Sequence, residues 1–265
     1  MSELHTRLRQ ILAALTASDP ACKRFGAAQH RYELLPPVTD IELSQIDERL
    51  AATDAAPSGV LPEDYADYIA RFSAGGVGPY YGLLRADRAA AFLIDAPSTV
   101  TAWKRALPIA HVGCGYAAVM PLDGAAAGQI WIDARSLQLV APVRPSFTAF
   151  YLDWIDRLAQ PQGLDPFVPP NQCAVVAALT GYLAMTEQQR GLAAGSLDGE
   201  ALRETLGELG VGAIEVTASA PLPIFHAGDR VDPCVACARA LQGFAEQGLR
   251  LDVVAPGLPP LPARN

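Results

Sequence analysis

Residues 61–87, LPEDYADYIARFSAGGVGPYYGLLRAD, join a proline-started helix to two adjacent glycines and then to a tyrosine pair. Pro62 suits a first helical turn, where its fixed φ and missing N–H are tolerated. Tyr65, Tyr68, Ile69 and Phe72 recur at helical spacing and form one apolar, aromatic face. Gly75 or Gly76 is placed to supply a left-handed C-terminal cap. Together with Gly78 and Gly82, these glycines let the chain reverse from helix into a first strand. A phosphate-binding loop needs a Lys and a Ser or Thr after its glycines, and none follows here. Its order is also wrong, because this loop follows a helix and enters a strand. In a strand that starts at Tyr80, Tyr80 and Tyr81 face opposite sides, one toward the core and one toward a partner. The break turns the chain and presents a surface.

On the N-terminal side, Leu4, Leu8, Ile11, Leu12 and Leu15 predict an amphipathic helix over about 3–17. PPVTDIELSQIDERL places Thr39 three residues before Glu42, a capping box, with Leu43, Ile46 and Leu50 as the buried stripe behind it. On the C-terminal side the rhythm shortens. YYGLL, LPIAH, YAAVMPL, GQIWIDA and LQLVAPV each read as a strand of a mostly antiparallel sheet. SFTAFYLDWIDRLAQ then closes the unit as a helix, with Phe147, Phe150, Tyr151, Trp154 and Leu158 at helical spacing. Helices, a strand meander and a closing helix give an α+β domain over 1–160.

The stretch 161–171, PQGLDPFVPPN, carries four prolines and one glycine, and this density marks a linker. Beyond it, 172–256 predicts helices at about 172–190, 198–210 and 234–247 and strands at GAIEVTA and LRLDVVAP, a small α/β domain. Residues 257–265 read as a tail.

The 265 residues are 51% hydrophobic and 18% charged, the balance of a folded globular chain. A formal charge of -8 argues against nucleic-acid or anionic-membrane binding, each of which needs a basic excess. It suits a basic protein partner. The opening MSELHTRLRQILAALTASD interrupts its apolar positions with charges, unlike a signal peptide, and no run reaches the length of a membrane span. Five cysteines at irregular spacing do not form a disulfide framework. A cytoplasmic protein with reduced thiols is expected.

LPPVTDIELSQIDERL, LPEDYADYI, GGVGPYYGLL, LPIAHVGCGYAAVMPLDGAAAGQIWID and SFTAFYLDWID occur in this order. On them, residues of about 31–158 resemble the SUKH superfamily, the Smi/Knr-type immunity and cell-wall-regulator proteins. Ala74 departs from the larger polar residue that often precedes the glycine pair in that family. The resemblance implies a twisted antiparallel sheet flanked by helices. It also implies a non-enzymatic immunity protein that binds and neutralises a cognate polymorphic toxin, a nuclease or another enzyme, and it brings no catalytic residues. A regulatory scaffold with several protein partners is the alternative that eukaryotic relatives suggest.

The expected partner face comprises Tyr80 and Tyr81 with the acids Glu63, Asp64, Asp67, Asp87, Asp123 and Asp133, since complementary charge speeds association and rejects wrong partners. For any single acid, an ordinary solvated position is the simpler reading. In HVGCGY (111–116), His111 beside Cys114 suggests a nucleophile and its base. Residues three apart on such a turn diverge, however, and no orienting carboxylate lies near. The simpler reading is a tight turn or bulge at Gly113 and Gly115 with Cys114 as a small buried apolar group. Trp131 and Trp154 read as core or rim aromatics.

Cys234 and Cys237 form a C-x-x-C at a helix start, with Asp232 as N-cap and Pro233 in the first turn. With His226 they are able to hold zinc, Cys173 or water being the fourth ligand. The P-C-x-x-C is also similar to the second zinc motif of cytidine-deaminase-type enzymes, which need a His-x-Glu well upstream. Ala227 and Gly228 follow His226, so a module of that descent is degenerate. Three readings stay open for 172–256: a structural helix with two semi-buried thiols, a zinc or redox site, and the degenerate module. A metal-dependent enzyme centred on His226, Cys234 and Cys237 would be a different class of function altogether.

Overall fold

The computed structural model describes residues 3–22, 24, 26–52, 61–135, 139–158, 184–193, 204, 213–217, 232, 234, 237 and 250–254. The chain divides into two compact units, residues 1–112 with 116–164 and residues 113–115 with 165–265. The sequence placed 113–115 with the first unit; the structure places this short turn with the second.

In the first unit, α1 (Glu3–Ser18), α2 (Ala27–His30), α3 (Asp40–Ala51), α4 (Glu63–Arg71) and α5 (Ala86–Ala91) precede the sheet, and α6 (Phe147–Leu158) follows it. The five strands β1 (Ile94–Asp95), β2 (Arg105–Gly113), β3 (Tyr116–Pro121), β4 (Ile130–Ala134) and β5 (Leu139–Arg144) pair in sequence order. The ladders are antiparallel, with Ile94 opposite Ala106, Ala118 opposite Ile132 and Ile132 opposite Ala141. A two-residue connection joins β2 to β3, a span that only an antiparallel hairpin bridges. The register shifts at Ile130/Trp131, where β5 carries Val143 as an extra residue, a bulge that bends β5 against β4.

The predicted α1 and the four strands from LPIAH onward are present, and α6 closes the unit. The capping box is complete. Glu42 N–H donates to Thr39 Oγ1 at 3.2 Å, and Thr39 N–H donates to the Glu42 carboxylate at 2.8 Å. The core is aromatic where α4 meets α6. Tyr65 and Tyr68 place their rings 4.9 and 4.8 Å from Phe147, and Tyr68 lies 5.1 Å from Tyr151. These are edge-on or tilted pairs, the geometry that ring quadrupoles favour. Trp103 and Trp131 meet edge-on at 6.2 Å, so Trp131 is a buried aromatic, while half-buried Trp154 touches Tyr151 at 5.3 Å.

The glycine-rich stretch departs from expectation in two ways. First, α4 ends at Arg71 with Phe72 as its C-cap, so Gly75 and Gly76 do not cap it. They let backbones approach. Gly76 bridges Leu34 on one side and Leu83 on the other, and Leu83 bridges Ala110 of β2. The exchange is mutual: Gly76 N–H donates to Leu83 O at 3.0 Å and Leu83 N–H returns to Gly76 O at 2.7 Å. Second, YYGLL is no strand. Gly82 N–H closes a turn onto Pro79 O at 3.0 Å, and Tyr80 has φ +58°, outside strand geometry. Proline and glycines around the tyrosines favour the turn over a ladder. The two short helices α2 and α5 and the two-residue β1 carry too few periodic residues to be legible in sequence.

The second unit contains the parallel pair β6 (Ala213–Thr217) and β7 (Arg250–Val254), with Ile214 opposite Leu251 and Val216 opposite Val253. Parallel neighbours need a crossover between them, and Cys237 in that interval is helical. Residues 184–190 and Glu204 are also helical. Cys234, expected to open the helix over 234–247, is not helical, so the expected start at Asp232 and Pro233 is corrected to a later one, at or before Cys237. The remainder of the helices expected at 172–190, 198–210 and 234–247, the linker 161–171 and the tail 257–265 lie outside the described residues.

A Cβ added at Gly76 would sit 2.5 Å from Glu33 O, at a φ of +91° that L side chains rarely adopt. Gly76→Ala should therefore destabilise the chain by about 2 kcal/mol or more, from strain and backbone displacement together. Urea unfolding measures this; an unchanged midpoint would show that the ladder tolerates a side chain there.

Candidate functional site

Three of the anticipated acids converge on one feature of the first unit. Glu63, Asp64 and Asp67 line an open groove of about 920 Å³ along α4, with Leu43, Ala66 and Ala70 as apolar lining and Ser146 and Thr148 from the start of α6. The helix has its aromatic side in the core, and i, i+3, i+4 spacing sets these carboxylates on the outward side. Arg71 is the groove's guanidinium, and its Nε lies 3.0 Å from Asp67. Three carboxylates against one guanidinium leave the groove negative.

Each acid is held differently. Asp64 accepts from Thr148 N–H at 2.8 Å and thereby satisfies a backbone donor in the first turn of α6. Asp67 also lies 3.6 Å from His5 Nε2. Burial lowers the His5 pKa, with the Asp67 charge pulling the other way. Glu63, at the first position of α4, is exposed.

The other members of the expected partner face are occupied elsewhere. Asp87 accepts from Arg85 Nε at 2.8 Å, and the same guanidinium reaches Glu42 at 3.0 Å. Asp123 accepts from Lys104 N–H at 2.6 Å. Asp133 is only 6% exposed and ion-paired with Arg135, so a contact role for it is corrected to a structural one. Tyr80 is likewise 6% exposed and lies 6.3 Å from the Phe150 ring, because its left-handed φ folds it inward. Tyr81 is half-buried and stacks on His111 at 5.4 Å. The tyrosine pair thus belongs to the interior more than to a docking surface. Gly113 and Gly115 form the expected tight turn, at φ +104° and +80°.

Cys114, expected to be an isolated apolar filler of that turn, belongs to a second constellation. The Sγ atoms of Cys114, Cys234 and Cys237 all lie within 4.8 Å of one another and are buried. Cys234 N–H donates to Cys114 Sγ at 3.2 Å, and Cys114 N–H donates to Asp232 O at 2.7 Å. Sequence spacing could not bring a cysteine 120 residues away to the C-x-x-C. The available signal was a cysteine between two glycines, in a turn that prefers Asn. His226 and Cys173, the other ligands considered, lie outside the described residues.

No family model, curated protein or solved structure matches this chain. Among the described residues, no helix is long and apolar enough to cross a membrane.

His30 and His111 are buried, and desolvation lowers both to about 4 from 6.5. Tyr32 N–H donates to His30 Nδ1 at 3.1 Å, which fits a neutral ring. A depressed folded pKa means that the unfolded chain takes up the proton first. Stability should be full above about pH 6.5 and fall toward pH 4, by up to about 3 kcal/mol per histidine. His30→Gln should flatten thermal-melt dependence between pH 7 and 5 by about half; an unaltered slope would contradict this assignment.

Proposed function

We propose that this chain is a cytoplasmic, non-enzymatic immunity protein of the SUKH type that neutralises a cognate toxin domain by binding it. The motifs from LPPVTDIELSQIDERL to SFTAFYLDWID, in family order over about 31–158, support the reading. So does a mixed α+β unit with a five-stranded antiparallel sheet. The observation that carries it is the acidic groove on α4, with Glu63, Asp64 and Asp67 around an apolar lining. A toxin nuclease must present a lysine- and arginine-rich surface to hold phosphates. A groove of opposite sign, on a chain of net charge -8, steers such a surface in and competes with its substrate. The apolar lining supplies the desolvated centre that stable interfaces need, and the carboxylates form its rim.

Co-expression with toxin domains encoded beside the gene tests this. One of them should be bound and its toxicity relieved; failure to bind or neutralise any would remove the inhibitor reading. Within that complex, Glu63→Lys with Asp67→Lys should slow association at low salt by about tenfold or more, with the difference shrinking as salt rises. Stopped-flow kinetics reads this, and an unchanged association rate would place the toxin elsewhere. Stability should change by no more than about 1 kcal/mol, because these carboxylates are exposed or only partly buried.

A further inference from the structure

We infer that Cys114, Cys234 and Cys237 form a three-thiolate structural zinc site in the second unit. All three Sγ atoms lie within 4.8 Å of one another, and the residues are 3%, 0% and 0% exposed. In a tetrahedral zinc site with Zn–S bonds of about 2.3 Å, the sulfurs stand about 3.8 Å apart. The observed trio needs only small side-chain rotations to close on an ion. Two sulfurs in a disulfide would have to come to about 2.05 Å, and a disulfide would leave the third unused. A redox C-x-x-C also needs an accessible attacking thiolate, whereas here every member is buried.

The backbone points the same way. Cys114 and Gly115 are the central residues of the two-residue β2–β3 turn, at φ +54° and +80°. Positive φ at both positions is the type I′ signature, which Asn-Gly or Gly-Gly fills without strain. A cysteine there is held in a costly conformation, and that conformation directs its sulfur to the Cys234 N–H at 3.2 Å. A hydrogen bond from N–H to sulfur favours the thiolate, the form that binds metal. The balance is simple. Zinc(II) displaces three thiol protons to solvent, forms three Zn–S bonds and leaves the group with one negative charge. A fourth donor would complete the tetrahedron. Deep burial of the three sulfurs favours a structural role over a catalytic one, which would keep an open, solvent-reached position.

The test uses the full chain purified without a histidine tag. Elemental analysis should find equimolar zinc. Cobalt(II) exchanged into it should show thiolate charge-transfer bands and tetrahedral d–d bands. Cys114→Gly, which fits the positive φ without strain, should keep the circular dichroism spectrum and weaken zinc retention against a chelator by more than about a hundredfold. Cys114→His should retain metal with a cobalt spectrum showing one thiolate fewer. Cys22→Ala, outside the trio, should leave zinc unchanged. Copper in place of zinc, zinc retained by the folded Cys114→Gly protein, or a metal-lacking chain with all thiols titratable would each overturn the assignment.

Discussion

At Gly76 the backbone runs between two others with no room for a side chain on its Cα. Leu34 lies on one flank and Leu83 on the other, and Leu83 passes the pairing to Ala110 of β2. A ladder of single bridges thus continues the sheet beyond the point where the two-residue β1 stops. Each crossing satisfies backbone donors that would otherwise be buried without partners. Gly75 O accepts from Leu35 N–H at 3.2 Å, and Ala74 O accepts from Ala86 N–H at 2.9 Å, so the same few residues hold the entries to α3 and α5. The crossing thus joins the segments that flank α3, α4 and α5.

The consequence for α4 is a helix with two committed sides. Its tyrosines are fixed against Phe147 and Tyr151, which sets the rotation of the helix and turns Glu63 and Asp67 outward. Asp64 ties the start of α6 to the same helix and so fixes Ser146 and Thr148 as the opposite wall. A groove built this way is pre-organised, and little ordering cost would remain for the partner proposed to enter it.

Much of this was legible in the sequence, and what was missed has physical causes. Helical spacing in LHTRLRQILAAL and the Thr39/Glu42 box act over three or four residues, so α1 and α3 could be read directly. The tyrosine pair could not, because Pro79 and the flanking glycines override the β-propensity of tyrosine and impose a left-handed residue at Tyr80. Of six acids taken as a partner face, the three on one helix stay together, since helical periodicity places them. Asp87 and Asp133 are drawn off by Arg85 and Arg135, each two residues away in sequence, and Asp123 by Lys104 N–H, a partner 19 residues away that only the fold supplies. The distance that hid the partner of Asp123 also hid Cys114, whose companions arrive from 120 residues away.

The proposed binding of a toxin domain through the α4 groove is tested most directly by hydrogen–deuterium exchange of the full chain with and without a toxin domain encoded beside the gene. Slowed exchange should appear in residues 63–71 and 146–148, the two walls of the groove, and weaken with added salt. A bound complex that leaves both segments exchanging at their original rates would contradict the account.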